Sequence, residues 1–430
     1  MNQTRVPPSQ RAAREFTAYA NMNKTHTTIP SSNDTPDFSL VMGGPLYQLL
    51  VRARLATPAF DLVRRRILCI TTFAWLPLLL LSLVSGKAWG GGGLTFLSDL
   101  EMHERFLVAL PLLIGAELLV HRRLRFVVAQ FVERNIITEA VLPRFNAAIA
   151  SAMKLRNSVA IELILFVLIF IVGHYVWTMA SVVGKIGTGA GTWYATGTDG
   201  HTQLHPAGYW YVFVSRPLFQ FILVRWYFRL FLWARFLWQC SRMELNLIPL
   251  HPDRAAGLGF LGGSSAVFAP LLTAHGALVA GVIANPIFFA GAKFTDFRLE
   301  ILGGGLLLLL IVLGPMLAFS ANLMRAKRAA SREYGLLASR YASEFDRKWL
   351  HGGAPADEKL LGNSDIQSLA DLGNSFQVIP AIQAFPFGRS TVIELAVFYL
   401  IPVLPLVLTM IPLEELIKRV FGLFFDTSGL

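Results

Sequence analysis

The chain has 430 residues, of which 54% are hydrophobic and 15% are charged, and its mean hydropathy is +0.52. A soluble globular domain carries about 25% charged residues. The composition therefore argues against a soluble enzyme, a disordered protein and a disulfide scaffold, and favours a membrane protein with several spans. The net charge of +11 leaves nucleic-acid binding as a second interpretation, which depends on where the charges lie.

The predicted elements begin with a polar N-terminal tail at residues 1–45, which we expect to be disordered and cytoplasmic. Beyond it, seven stretches approach the length of about 20 mostly apolar residues that a spanning helix needs. They lie at residues 67–86, 106–120, 158–183, 209–238, 266–292, 299–322 and 391–412. The predicted fold class is therefore all-α, a polytopic helical membrane protein with about seven transmembrane helices.

The positive charges predict the orientation of these spans. With the N-terminus cytoplasmic, 27 of the 38 Lys and Arg residues lie on the cytoplasmic side and seven on the external side. This bias is typical of cytoplasmic loops, so the C-terminus is predicted to be external. The basic residues then hold anionic lipid headgroups on the cytoplasmic face of the bilayer. No nucleic-acid-binding module accompanies them, and we predict no nucleic-acid partner.

The predicted organisation follows from the spans and from two long cytoplasmic segments with helical apolar spacing. Residues 323–390 form a cytoplasmic helical layer, in which the helix after the sixth span ends near Gly352 and a further helix begins at Ser364 with Gln367 in a capping box. The remaining segments are 46–121 (spans one and two), 122–157 (cytoplasmic amphipathic helices), 158–322 (spans three to six), 391–412 (span seven) and 413–430 (an interfacial C-terminal helix).

The fourth predicted span carries the most informative charges. Arg225 and Arg229 are four residues apart and share one helix face, whereas Arg216 lies nearer the outer side. Glu117 and Glu162 lie at matching depth in neighbouring spans. A buried Arg–Glu layer is one interpretation, and an anion-attracting vestibule or gate is another. Snorkelling of the arginines to headgroups is a third.

The last predicted span contains Glu394 and Tyr399, followed by Pro402 and Pro405. Prolines in a span free backbone carbonyl groups, which tend to line cavities. If a permeation path exists, we predict that this span lines it. The alternative is an ordinary proline-kinked helix.

The loop after the fourth span contains His251, Asp253, Arg254, Gly257 and Gly259, which we treat as a candidate hinge or functional loop. Its G-x-G-x-x-G pattern lacks the strand that a dinucleotide site needs, and a hydrolase triad would lack its nucleophile elbow. The better interpretation is that Asp253 caps the next helix and the glycines allow close packing. We predict no catalytic residue, no metal site and no cofactor.

Two stretches carry a resemblance, LNLIPLHPDRAAGLGFL and LLGNSDIQSLADLGNSF. Together with the proline-rich last span, they resemble a family of multi-pass bacterial membrane proteins without an assigned activity. The resemblance implies the bacterial inner membrane. In topology alone, the chain looks like the insect odorant and gustatory receptor channels, whose last span lines an oligomeric pore. That likeness implies a homo-oligomer, and no functional residue is carried over from it.

The sequence thus leaves three functional hypotheses. The first is an oligomeric ion or small-solute channel, or a channel-like transporter. The second is a non-catalytic membrane sensor or scaffold that binds a partner through its cytoplasmic helices. The third is a lipid-modifying membrane enzyme centred on His251 and Asp253. We predict that the protein is not an enzyme.

Overall fold

The computed structural model describes residues 38–55, 62–90, 93–182, 191–198, 201–355 and 357–410. These residues are mostly helical, which confirms the predicted helical class. Their α-helices are α1 Pro45–Arg52, α2 Val63–Val84, α3 Leu100–His103, α4 Leu110–Glu133, α5 Leu142–Arg156, α6 Val159–Val182, α7 Pro206–Trp210, α8 Arg216–Ser241, α9 Gly259–Ser264, α10 Ala269–Ala290, α11 Arg298–Leu313, α12 Ser320–Trp349, α13 Ser364–Val378, α14 Arg389–Leu400 and α15 Leu404–Val407.

Shorter elements complete the described part of the chain. A two-stranded antiparallel hairpin pairs β1 with β2, and it precedes α7. Two π-helical segments continue α3 and α7 into the long helices α4 and α8. The strands are β1 Ala195–Thr198 and β2 His201–Leu204; the π-helical segments are Glu104–Ala109 and Tyr211–Ser215; the 3₁₀ segments are Ser265–Phe268, Phe294–Phe297, Gly314–Phe319 and Leu408–Met410.

Among the described residues, three helical stretches are long and apolar enough to cross a membrane, which is compatible with a membrane protein. They are Val63–Val84, Gly259–Ala290 and Phe294–Trp349. A fourth is obtained if Arg389–Leu400 and Leu404–Met410 form one span, bent by 70°. Pro402 lies at this bend, where proline removes a helix hydrogen bond. Of the remaining predicted spans, α6 has a shorter apolar stretch at Val159–Ile171. The second and fourth predicted spans, which carry several charges, are not among these stretches.

The stretch Gly259–Ala290 lies at the centre of the bundle. Its most apolar window is 67% buried, against 17% for α2, so α10 packs among protein and α2 presents apolar side chains outward. A Cβ atom at Gly276 would lie 1.9 Å from the carbonyl oxygen of Tyr399. Glycine at this position therefore lets α10 and α14 approach backbone to backbone, as small residues do in membrane helix packing.

The segment before α1 belongs to the core. Phe38 is 1% exposed, and its ring contacts those of Trp233 and Phe236 on α8. Ser39 is also buried, with its hydroxyl 2.8 Å from Nδ1 of His121. The tail boundary predicted at residue 45 therefore moves to before Phe38, because Phe38, Leu40 and Val41 are buried in the core of the bundle. The prediction for residues 1–37 lies outside the described residues.

The helix α12 continues from the stretch that begins at Phe294, as predicted, and ends at Trp349. The predicted capping box at the next helix is wrong. The side chain of Asn363 accepts from the backbone N–H of Asp365 and caps α13, whereas Gln367 donates to Asp371 one turn further on. The C-terminal helix predicted at 413–430 lies outside the described residues.

Candidate functional site

The predicted arginine–glutamate pairs form in the structure. Nη2 of Arg229 lies 2.6 Å from Oε1 of Glu117, and Nε of Arg225 lies 3.3 Å from Oε1 of Glu162. All four side chains are about nine-tenths buried or more. Burial of a charged group is costly unless it is paired and hydrogen-bonded, so these contacts explain why two arginines are accommodated inside α8.

A third arginine joins this group. Nη2 of Arg66 lies 2.5 Å from Oε2 of Glu117, so that one carboxylate bridges two guanidinium groups. Arg66 lies at the start of α2 in a run of three arginines, a pattern that gives no sign of burial in the sequence. We call Arg66, Glu117, Glu162, Arg225 and Arg229 the charge cluster. Its three arginines and two glutamates leave one positive charge in excess.

The N-terminal segment covers the charge cluster from one side. The backbone N–H of Leu46 donates to Oε2 of Glu162 at 2.8 Å, and Nη2 of Arg225 donates to the carbonyl oxygen of Gly43 at 3.4 Å. Gly44, with φ of 85°, brings its backbone so close that a Cβ atom would lie 3.0 Å from Oε1 of Glu162. The excess positive charge is thus partly balanced by backbone carbonyl groups.

A cavity of about 630 Å³ lies near the N-terminal ends of α4 and α8, whereas the charge cluster lies further along these two helices. We call it the main cavity. Its size is within the range of about 300–1,000 Å³ that is usual for small-molecule sites. Its lining residues are Leu94, Asp99, Glu101, Met102, Arg105, Gly191, Thr192, Tyr194, Tyr211, Arg216, Phe219, Gln220, Leu223, Leu278, Val282, Asn285, Pro286, Phe289 and Ala290.

The two π-helical segments meet at this cavity. Arg105 lies in the first and Tyr211 in the second, and Nη1 of Arg105 donates to the hydroxyl of Tyr211 at 2.7 Å. Arg105 also forms an ion pair with Glu101 and lies over the ring of Phe219. π-Helical turns are rare in proteins, and those that occur often lie at functional sites. Here two of them are joined by a side-chain hydrogen bond at the wall of the main cavity, which we therefore take as the candidate site.

A buried polar network fixes one wall of the main cavity. Asp99 caps α3 and accepts from Nδ2 of Asn285 at 2.9 Å and from Nε1 of Trp193 at 2.9 Å. Oδ1 of Asn285 accepts from the backbone N–H of Leu100 at 3.0 Å. These bonds tie α3, α10 and the segment before the β-hairpin together. The wall is therefore held by satisfied polar groups, which makes it rigid.

Apolar side chains separate the main cavity from the charge cluster. Glu117 lies twelve residues beyond Arg105 along the chain, which corresponds to about 18 Å of helix. Phe106, Leu110 and Leu113 fill this interval and are each 0% exposed. On α8, Trp226 is equally buried and donates its ring N–H to the carbonyl oxygen of Leu113 at 3.0 Å. In this conformation the cavity is closed toward the cluster.

The sequence-predicted residues thus fall into separate places. Arg216 lines the main cavity, about 20 Å of helix away from Arg229. Tyr399 is 2% exposed and donates to the carbonyl oxygen of Ile301 at 3.0 Å, in the tight contact between α14 and α11. Glu394 is exposed on α14. Among the described residues, neither of these two contacts the charge cluster or lines the main cavity.

The loop before α9 is organised by one carboxylate. Asp253 accepts from the backbone N–H groups of Ala255, Gly257 and Gly259 at 2.8, 3.1 and 2.8 Å, and its Oδ1 lies 3.0 Å from Nδ1 of His251. Burial raises the pKa of Asp253, but these three N–H donors and the nearby imidazole lower it below its usual value.

The remaining loop residues serve the same turn. Arg254 and Gly257 both adopt positive φ, at 55° and 96°, and the carbonyl oxygen of Arg254 accepts from the backbone N–H of Gln383 at 2.8 Å. A Cβ atom at Gly259 would lie 2.9 Å from the side chain of Asp253. Both oxygens of Asp253 are therefore engaged in holding the turn.

Within the described residues, no group of three or more His, Cys, Asp or Glu side chains is arranged to hold a metal ion.

The fold and the cavity define a class, a helical bundle compatible with a membrane protein. Between its helices the bundle holds a cavity that is mostly apolar and contains a few charged and polar side chains. No protein-family model matches the sequence, and no curated protein or solved structure matches it either. The resemblance inferred from the two sequence stretches therefore stays a prediction.

The sequence predicts four members of the charge cluster, all except Arg66, and it does not predict the main cavity. Arg105 and Tyr211 come from segments far apart in the chain, and π-helical turns leave no mark in the apolar periodicity. Two polar residues inside apolar stretches, Arg216 and Asn285, are the signals that the sequence contains for this cavity.

Proposed function

We propose that the protein is an integral membrane protein that moves a small polar or charged solute, as a channel or a channel-like transporter. In this proposal it has seven spans, a cytoplasmic N-terminus and an external C-terminus, and it resides in a bacterial inner membrane. The main cavity then opens to the external side, because it lies at the ends of α4, α8 and α10 that are remote from the basic loops.

The observation that carries the proposal is the junction of the two π-helical segments at the cavity wall. Arg105 and Arg216 supply positive charge, Glu101 supplies negative charge, and Tyr211 supplies a hydroxyl. In a mostly apolar cavity, a few convergent polar groups of this kind would bind and orient the polar or charged part of a small solute. The apolar side chains between the main cavity and the charge cluster provide one gate. Movement of α4 against α8 would open this gate.

Transport is tested with the purified full-length protein in liposomes. We expect flux of at least one class of inorganic ion or small polar solute. We expect Arg105→Gln and Tyr211→Phe to weaken apparent affinity, because each removes part of the junction. Arg332→Gln, on the exposed face of α12, is the matched control and keeps the wild-type rate.

Two results would count against the proposal. One is the absence of flux across inorganic ions and small polar solutes from protein that elutes and melts normally. The other is a flux that changes with Glu394→Gln and not with Arg105→Gln. That pattern would place the path along α14, between subunits of a homo-oligomer, as the topology of the last span predicts.

A second candidate function, a sensor or scaffold, is favoured by exposed apolar residues in the segment predicted to be cytoplasmic. Leu336 and Leu337 on α12 are 58% and 51% exposed, and Leu361 before α13 is 88% exposed. Exposed apolar clusters often mark protein contacts. Leu336→Glu in the full chain is expected to abolish cross-linking of a cytoplasmic partner, and Arg332→Gln is expected to keep it.

A further inference from the structure

A second cavity lies between α4 and the start of α9. We call it the α4–α9 groove, and its volume is about 410 Å³. The residues that α4 contributes recur at helical spacing on one face: Leu119, Arg123, Phe126, Val127 and Gln130. The opposite wall comes from α9 and the 3₁₀ turn after it. The main cavity shares none of these residues.

The groove lies where a membrane boundary is expected. The apolar stretch Gly259–Ala290 begins at its opposite wall. Leu119 lies on the side that runs into the bundle, whereas Gln130 lies toward the end of α4. Phe126 is 56% exposed beside the groove. An apolar surface at this depth is suited to an acyl chain rather than to water.

Positive charge accompanies the apolar walls. Arg123 lines the groove and is exposed, and Arg122 beside it is also exposed. Arg134, at the end of α4, lies with its guanidinium 5.1 Å from the ring centre of Phe260, which lines the groove. Basic residues between helices at the cytoplasmic side are the chemistry that recognises anionic headgroups.

One acceptor in the groove is buried without a protein donor. Oε1 of Gln130 has no hydrogen-bond partner among the described residues. A buried polar atom without a partner is costly, and a headgroup hydroxyl would supply the missing donor. The groove thus offers a cation for a phosphate, an acceptor for a hydroxyl and an apolar wall for a chain.

We propose that the α4–α9 groove binds one anionic glycerophospholipid, with its phosphate on Arg123 and its acyl chain along Leu119 and Phe126. Placement in the cytoplasmic leaflet follows from the proposed topology. Binding itself is independent of solute transport, so an absence of flux leaves the site intact and an absence of lipid binding leaves the main cavity intact.

The chain offers a sharp test, because Gly263 lines the groove and a Cβ atom there would meet nothing within 4 Å. Gly263→Leu should therefore fill the groove without forcing the backbone to move. Gly303 on α11 is an exposed glycine with equally open space. Gly303→Leu is the matched control for adding a large side chain to an apolar helix.

Binding is measured by native mass spectrometry of the full-length protein with dioleoylphosphatidylglycerol or dioleoylphosphatidylcholine. We expect the wild type to retain one phosphatidylglycerol and to bind phosphatidylcholine more weakly. Arg123→Gln should weaken binding about fivefold, since one basic residue near a membrane surface contributes about 1 kcal/mol. Gly263→Leu should lose the retained lipid, whereas Gly303→Leu and Arg332→Gln should keep it.

Several results would overturn the site. Retention of phosphatidylglycerol by Gly263→Leu would place the lipid elsewhere, and equal retention of phosphatidylcholine would remove the role of charge. Equal stabilisation of the protein by glycerol 3-phosphate alone would indicate a site for a free phosphate. A dimer that dissociates in Gly263→Leu, with lipid retention unchanged, would assign the groove to a second copy of the chain.

Discussion

Glu117 is the residue on which the charge cluster depends most, because its carboxylate contacts both Arg66 and Arg229. Glu117→Gln leaves two buried guanidinium groups without a counter-charge. Breaking a buried ion pair in this way costs about 3–5 kcal/mol. We expect a large fall in the thermal midpoint of the purified protein, measured by intrinsic tryptophan fluorescence in detergent.

Two comparisons test whether loss of the counter-charge is the cause. Arg235→Met removes an arginine of the same helix whose hydrogen-bond partner is the neutral Ser151, and it should cost much less. The combined change Arg66→Met, Glu117→Leu and Arg229→Met should recover most of the loss, because apolar residues of similar volume can replace a buried ionic triad. A triple variant as unstable as Glu117→Gln would refute this account.

Asp253 gives a prediction with a pH dependence. Its pKa in the folded protein lies below the usual value of 3.8. The ionised carboxylate therefore stabilises the fold above pH 3.8, and this contribution is lost as the pH falls from there through the lowered pKa. In Asp253→Asn an amide NH₂ replaces one of the two accepting oxygens, so the variant should be less stable than the wild type at neutral pH by roughly 0.5–1.5 kcal/mol, the range for one hydrogen bond.

The thermal midpoints of the two proteins at neutral and strongly acidic pH check this prediction. The difference between them should narrow as the carboxylate of the wild type becomes protonated. Asp357→Asn, at an exposed position, serves as the control and should match the wild type at both pH values. A difference that stays constant with pH would mean that the charge of Asp253 contributes nothing.

At the scale of the helices, the contact of α14 with α10 and α11 depends on glycine. Gly276→Ala would place a Cβ atom 1.9 Å from the carbonyl oxygen of Tyr399, so the two backbones must separate. Overpacking of this kind typically costs about 1–3 kcal/mol. Gly303→Ala, with open space around it, should be neutral or slightly stabilising, since alanine favours a helix by about 1 kcal/mol.

The thermal midpoints of Gly276→Ala and Gly303→Ala, measured in the same detergent, test whether close backbone approach is the reason for glycine at position 276. Equal losses of stability in the two variants would show that glycine serves helix flexibility rather than close approach.

The sequence alone does not distinguish these two glycines, because both lie in apolar helical stretches. The position of Tyr399 distinguishes them, and a periodicity argument does not give that position. The bend near Pro402, in contrast, follows directly from the chemistry of proline.

For the whole molecule, the features that strong local rules determine were predictable from the sequence. Apolar length predicted helices, and the need of Arg225 and Arg229 for counter-charges predicted their pairing with Glu117 and Glu162. The main cavity depends instead on contacts among α3, α8, α10 and the segment at Trp193. Such convergence of distant segments has no local signature. The same holds for Phe38, whose burial depends on a space that α8 leaves open.

The proposed topology gives a prediction for the whole molecule. Three proposed spans separate Gln203 on β2 from Ser368 on α13, so these two exposed positions should lie on opposite sides of the membrane. Single cysteines, Gln203→Cys and Ser368→Cys, are introduced after removal of Cys69 and Cys240. A membrane-impermeant maleimide applied to intact cells should label only Gln203→Cys, and Ser368→Cys should react only after lysis. Labelling of both positions in detergent verifies that each thiol is reactive. The opposite pattern would reverse the orientation, and equal labelling in intact cells would require an even number of spans between them.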